Sequence, residues 1–267
     1  MSELGRAILL GVVQGLTEFL PVSSDGHLAL CQWAFGSADA SLAMDVVLHA
    51  GTLLAMILFF RRDLSALARG LPARTEEGRL ERRRFLLVMA ATLVTGVVGL
   101  SLKSRVEKLS ASPSAAGIGF LLTAAVLLWG EHRARRRSGP GTRVVAAPVW
   151  QALVIGLVQG AAVWPGLSRS ASTIAVALAF GWAWEEAGRF SFLAAMPAIA
   201  GATLLMAREM RALPLVPSLV GFGVSFVTGM AALGLLMGFL RARRLWPFAL
   251  YTLLLGLFAL LKAFQSV

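Results

Sequence analysis

Apolar runs dominate this chain, and they come in two lengths. Six stretches, roughly 43–60, 85–102, 115–130, 188–207, 216–240 and 246–264, approach the ~20 residues a helix needs to cross a bilayer. Four others, roughly 4–20, 27–36, 149–164 and 172–183, are too short. The short runs form two pairs, and each pair flanks a polar turn rich in Pro, Gly and Ser. A short helix, a polar turn and a short returning helix predict a re-entrant hairpin. Such broken backbone is tolerated at membrane depth only where protein buries it or where it lines a wet cavity.

The two turns are versions of one another. The first is Gly11-Val12-Val13-Gln14-Gly15, then Glu18, then Pro21-Val22-Ser23-Ser24-Asp25-Gly26-His27. The second is Gly156-Leu157-Val158-Gln159-Gly160, then Pro165-Gly166-Leu167-Ser168-Arg169-Ser170-Ala171-Ser172-Thr173. Gln159 repeats Gln14, but Val163 stands near the place of Glu18, so the copies are unequal.

Composition settles the solvent. The chain has 267 residues, 57% hydrophobic and 15% charged, with mean hydropathy +0.75. Soluble domains carry about a quarter charged residues. The prediction is an all-α, polytopic membrane protein forming a single integral membrane domain over 1–267. The net charge of +11 points to topology and anionic headgroups, not to nucleic acid, because the arginines lie between apolar spans. Cys31 is the lone cysteine and excludes an internal disulfide. Only Arg6 precedes the first apolar run and no small-residue cleavage site follows, so no removable signal is expected. Trp129, Trp150, Trp164, Trp182, Trp184 and Trp246 fall near predicted helix ends, as interfacial tryptophans do.

Arginine placement predicts the sides. Eight arginines between Arg61 and Arg84 occupy the first long loop, with 70–84 read as a charged, solvated loop in which a helical turn stays open. Arg133, Arg135, Arg136, Arg137 and Arg143 occupy the second, and Arg241, Arg243 and Arg244 precede the last span. Two spans separate the first two clusters, so they share a side, which is cytoplasmic by the positive-inside rule. The third joins them if 149–183 is a hairpin. The first hairpin then enters from outside and the second from the cytoplasm, with both termini extracytoplasmic. The expectation is an inverted-topology repeat: a re-entrant helical hairpin plus three transmembrane helices, twice, over 1–134 and 145–267. In such folds the broken elements meet near the midplane and build the site.

The turns carry chemistry that membrane interiors rarely hold without purpose. Helix N-termini bind phosphate, and Arg169 in a hydroxyl-rich helix start is suited to bidentate phosphate recognition. The bland alternative makes Arg169 a loop residue and the serines caps. Gln14 and Glu18, at i and i+4, can offer an amide oxygen and a carboxylate to Mg²⁺ or Ca²⁺, and Asp25 can add a second carboxylate; alternatively Glu18 simply pairs with Arg169. Ser23, Ser24 and His27 allow a nucleophile–base contact across the turn. His49, inside a span, is a supporting partner or a packed histidine.

At Gln14-Gly15-Leu16-Thr17-Glu18-Phe19-Leu20-Pro21-Val22-Ser23-Ser24, with Gly26-His27, and at Pro165-Gly166-Leu167-Ser168-Arg169-Ser170 with Thr173, the chain resembles the membrane-embedded undecaprenyl-diphosphate phosphatases of bacteria, the bacitracin-resistance family. Weaker similarity runs over essentially the whole length. The resemblance implies hydrolysis of a C55 polyprenyl diphosphate to the monophosphate and phosphate, recycling the carrier for cell-wall synthesis. It implies a bacterial cytoplasmic membrane location, a site open to the extracytoplasmic side, and a need for Mg²⁺ or Ca²⁺. By position it assigns Glu18 and Gln14 to the metal and Arg169 to the diphosphate. Ser24 becomes the nucleophile, with His27 its base or the acid to the leaving group; attack by His27 or by an activated water stays open. Ser23, Ser168, Ser170 and Thr173 bind phosphate oxygens. Asp25 departs from the Thr common there. The expected partners are the lipid substrate and membrane lipids, with a homodimer left open. A transporter or flippase for a phosphorylated polyprenyl lipid is the competing prediction, since inverted repeats with broken helices also build transporters.

Overall fold

The computed structural model describes residues 2–34, 42–107, 109, 112–210 and 213–265. Residues 35 and 36 of the predicted run 27–36 lie outside them. The described chain is helical: α1 (Glu3–Phe19), α2 (Ser24–Ala34), α3 (Leu42–Phe59), α4 (Arg61–Gly70), α5 (Glu76–Glu107), α6 (Pro113–Arg135), α7 (Val149–Ala161), α8 (Arg169–Ala179), α9 (Trp184–Leu205), α10 (Ala207–Met210), α11 (Leu215–Arg241) and α12 (Trp246–Gln265). Five of these, α5, α6, α9, α11 and α12, contain a stretch long and apolar enough to cross a membrane. α3 and α4 pass the same test only when taken together, and α4 bends away by 66° at Phe60. The protein is a multi-pass membrane protein, as the hydropathy pattern predicts.

Local sequence accounts for the helix starts. Ser2 accepts from the Gly5 N–H at the head of α1, and Ser112 caps α6 with Pro113 behind it. Pro197 interrupts the backbone ladder of α9. The nearby Ala194 carbonyl takes side-chain donors from Thr92 (3.2 Å) and Gln159 (3.3 Å), which binds the proline-containing stretch to α5 and α7.

The charged stretch 70–84 is exposed over much of its length, as predicted, but it is helix for more than the one turn left open. From Glu76 it is helix. Glu76 pairs with Arg79 one turn on, and the Thr75 hydroxyl accepts from the Gly78 N–H. Arg84 is nearly buried among Asp63, Glu81 and Glu186, at 3.6–3.7 Å. Arg83 donates to the carbonyls of Val145 and Ala147, and Arg189 donates to Asp63. Partners as far along the chain as Glu186, opposite Arg84, turn this basic run into a folded cap.

Packing is reciprocal between the two halves. The short α1 lies along α11, and the short α7 lies along α5. The glycines of the two related motifs make this possible. A Cβ on Gly11 would sit 2.9 Å from the Gly221 carbonyl oxygen, and one on Gly15 would sit 2.7 Å from that of Ser225. On the other side, Gly156 faces the Ala91 carbonyl (2.4 Å) and Gly160 the Val98 side chain (2.6 Å). Small residues let helix backbones approach where no hydrophobic effect drives association. Because the Gly156 clash is with backbone, Gly156→Ala is expected to destabilise the purified protein by about 1–3 kcal/mol. A lower thermal midpoint in detergent checks this, with Gly96→Ala, where a Cβ would meet nothing within 4 Å, as the neutral control.

Side chains on the outer surface are those of a lipid-facing protein. Leu86, Leu93, Val97 and Leu100 form an exposed row on α5. Trp129, Trp150 and Trp246 are about half exposed, but Trp182 is buried and donates to Gln151 (2.6 Å). It is a core residue, not an interfacial one.

Candidate active site

The two polar turns meet tip to tip. After α1 the chain turns through Pro21 and Val22 into Ser23, whose φ of 70° is left-handed. After α7 it turns through Gly166, with φ +82°. A Cβ on Gly26 would lie 2.7 Å from the Gly166 Cα. That glycine-on-glycine approach brings the first turn of α2 against the start of α8, and with them Glu18 and Arg169, which are 151 residues apart.

Glu18 is the hub. It stands in the last turn of α1 with only 4% of its surface exposed. Its Oε2 accepts from the Ser24 hydroxyl at 2.7 Å and from the Gln14 amide at 3.0 Å. Its Oε1 is paired with the Arg169 guanidinium. His49 Nε2 approaches the same carboxylate at 3.5 Å, while its Nδ1–H donates to the Asp45 carbonyl at 2.8 Å. Two cationic-type side chains, a hydroxyl and an amide therefore converge on one buried carboxylate. Such a hydroxyl has a proton acceptor within hydrogen-bond reach, and a guanidinium next to both.

A cavity of about 420 Å³ opens onto this cluster. Glu18, Ser23, Ser24, Asp25, His49, Ser168 and Arg169 line it, together with Gln159, Val163, Ala198 and Ile199. The predicted residues Glu18, Ser23, Ser24, Ser168 and Arg169 are thus brought together. Ser168 also caps α8, accepting from the Ala171 N–H.

Four predicted residues lie elsewhere. His27 is not brought to Ser24. Its Nδ1–H donates to the Ser23 carbonyl (2.6 Å), and its Nε2 meets the Tyr251 hydroxyl (2.7 Å). The ring stacks on Tyr251 and stands edge-on to Phe120, so both nitrogens are committed and neither is free to take a proton from the turn. Gln14 gives its N–H to Glu18 and does not line the cavity, so it supports the carboxylate from behind. Ser170 bonds to Ser168 and to the Leu20 carbonyl, joining the two hairpins. Thr173 joins α8 to α9 through Ser191 at 2.6 Å. Ser170 and Thr173 brace the start of α8 and are themselves buried away from the cavity.

The residue that sequence reasoning left undecided is His49. Its signal is Asp45 and His49 spaced i, i+4 inside an otherwise apolar span, which puts both on one helix face.

No group of three or more His, Cys, Asp or Glu side chains assembles a metal centre among the described residues. The donor set nonetheless suits a hard cation: the cavity shows the carboxylates of Glu18 and Asp25 and the hydroxyls of Ser23 and Ser24. Mg²⁺ is commonly held by one or two carboxylates plus substrate phosphates.

Fold and site define a class: a polytopic helical membrane protein whose two broken helical hairpins meet in a buried polar centre around Glu18 and Arg169. Comparison with known sequences narrows it. The chain belongs to the bacitracin resistance protein BacA family, whose model matches residues 7–258. A protein of Syntrophotalea carbinolica named undecaprenyl-diphosphatase is 40% identical over 257 residues, 94% of this chain and 95% of the relative. Proteins of the same name from Methanosphaera stadtmanae and Korarchaeum cryptofilum are each 37% identical, over 98% and 96% of this chain and 98% and 97% of their own lengths.

Proposed function

We propose that this chain is a membrane phosphatase that hydrolyses undecaprenyl diphosphate to undecaprenyl phosphate and inorganic phosphate. This returns the lipid carrier to cell-wall synthesis and underlies bacitracin resistance. Family membership and the relatives' names support the substrate. The observation that carries the chemistry is the Ser24–Glu18–Arg169 array at the junction of the two turns.

Ser24 Oγ attacks the terminal phosphorus of the diphosphate, and its proton passes to Glu18 Oε2, already its hydrogen-bond acceptor. The bond from that phosphorus to the bridging oxygen breaks, and the electron pair leaves with the prenyl monophosphate. Arg169 turns from Glu18 to the phosphoryl oxygens and stabilises the charge they gather. His49 holds the other flank of the carboxylate. Water then attacks the phosphoseryl phosphorus, the P–Oγ bond breaks, and Ser24 recovers its proton from Glu18. Glu18 and Asp25 would hold a divalent cation, which neutralises charge on the diphosphate when bound.

The site is proposed to open extracytoplasmically, in a bacterial inner membrane. The cavity touches Asp45 and Val46 at the start of α3 and Ala202 and Thr203 at the end of α9. Arginines gather at the opposite ends of both helices, Arg61 and Arg62 just past α3 and Arg189 in the early turns of α9 with Arg84 nearby, which is the cytoplasmic end by the positive-inside rule. With α1–α2 and α7–α8 as hairpins, the halves 1–134 and 145–267 are inverted copies.

Purified protein in detergent is expected to release phosphate from a polyprenyl diphosphate, faster with Mg²⁺ than with chelator. Tight substrate binding without release would refute the assignment and leave a transporter.

A further inference from the structure

Gln159 is the second-half copy of Gln14, and the mechanism above makes no use of it. It is 2% exposed, yet it lines the same cavity as Ser24 and Arg169. Its amide is held in one orientation. Nε2 donates to Thr95 Oγ1 at 2.9 Å and to the Ala194 carbonyl at 3.3 Å. The Thr95 hydroxyl spends its own proton on the carbonyls of Ala91 (2.8 Å) and Gly156 (3.1 Å), so toward Gln159 it can only accept. A carbonyl also only accepts. Both partners therefore require the NH₂ end, and Oε1 is fixed as the opposite end. That Oε1 is buried and has no hydrogen-bond partner among the described residues.

The difference from Gln14 explains the arrangement. Gln14 donates to Glu18, four residues on. Gln159 has Val163 there, so its NH₂ turns to α5 and α9. A buried acceptor left unsatisfied costs about 1–3 kcal/mol, and the residue that carries it lines a cavity with ample room for water.

We propose that Gln159 Oε1 seats the hydrolytic water. This rests on the phosphatase function proposed above. One water O–H donates to Oε1, which turns the oxygen lone pair toward the phosphoryl group. The water oxygen bonds to phosphorus as the P–Oγ bond to Ser24 breaks, and the bonding pair returns to Oγ, protonated by Glu18. One water hydrogen stays on the released phosphate. The other leaves as the proton that net hydrolysis of a diphosphate yields. Gln159 binds and orients but takes no proton.

The test is the partition of the phosphoryl group between water and added methanol, read as inorganic phosphate against methyl phosphate, with the detergent-purified full chain. The variant is the double substitution Gln159→Leu with Thr95→Val, which removes both ends of the amide–hydroxyl bond. Turnover in water is expected to fall on the order of 10²-fold, as for a reactant misplaced by about 1 Å. The methyl phosphate share is expected to rise several-fold, because only water loses a dedicated acceptor. Thr95→Val alone keeps the oxygen but loosens its hold, and is expected to shift the ratio the same way by less. Turnover lost with the wild-type ratio retained in both variants overturns the proposal, since a purely structural role would slow both acceptors alike. Phosphate release at the wild-type rate in the double variant also overturns it. If the wild-type chain releases no phosphate at all, this proposal falls together with the function it rests on.

Discussion

Arg169→Ala is expected to lower phosphate release by at least ~10³-fold, the scale of removing a guanidinium from a phosphoryl-transfer site. The argument is geometric. Arg169 reaches from the second hairpin to the carboxylate of the first, and its side chain keeps 25% exposure, toward the cavity. It is therefore close enough to hold Glu18 and open enough to meet a phosphate. Arg169→Lys is expected to recover little, because an ammonium cannot present the planar fork that matches two phosphate oxygens. Stability responds too. Glu18 has a side chain only 1% exposed, and removing one partner of a buried ion pair costs about 3–5 kcal/mol. Arg169→Ala should therefore melt at a lower temperature than wild type. Adding Glu18→Gln removes the stranded charge and should restore most of the stability while leaving activity absent. Kinetics and thermal melts of the two variants separate the two roles.

Ser24→Ala is the second large effect. It removes the only hydroxyl hydrogen-bonded to Glu18 among the described residues and is expected to abolish turnover. Glu18→Gln keeps the shape but loses the proton acceptor, and turnover should fall about 10²- to 10⁴-fold. The melting temperature of Ser24→Ala should stay close to wild type, because Glu18 retains Gln14 and Arg169. His27 tests the alternative. If His27 were the base for Ser24, its loss would match that of Glu18→Gln in kcat. With both ring nitrogens engaged by Ser23 and Tyr251, His27→Ala should act instead through the position of α2, with a shallower loss.

Much of this was legible in the chain because it follows from local rules. Run length separated full spans from half-spans, and the repeated Gly-x-x-Gln-Gly pattern marked both helices that need close backbone approach. Glu18 and Arg169 stood out as charges in broken apolar helices, and the structure joins them. Other residues were claimed by partners far along the chain. His27 lies three residues from Ser24, but its ring is taken by Tyr251, 224 residues later, a contact that no spacing within the turn encodes. Gln14 and Glu18 share a face as i, i+4 geometry requires, yet the amide presents its N–H to the carboxylate. That choice of end follows from Glu18 accepting from every neighbour. Arg83 and Arg84 read as solvated charge because their carbonyl and carboxylate partners come from distant segments. The family resemblance assigns Thr173 and Ser170 to the phosphate, but helical geometry turns them toward Ser191 of α9 and the Leu20 carbonyl.

The central claim is that two unequal copies of one hairpin form a single phosphoryl-transfer site, with the nucleophile and its base from the first and the cation clamp from the second. Rapid acid quench of the enzyme mixed with substrate labelled in the terminal phosphate measures this most directly. The account expects an acid-stable label on Ser24, absent from Ser24→Ala and formed at least ~10³-fold more slowly in Arg169→Ala. Full turnover with no acid-stable label on Ser24, or labelling at the wild-type rate without Arg169, would contradict it.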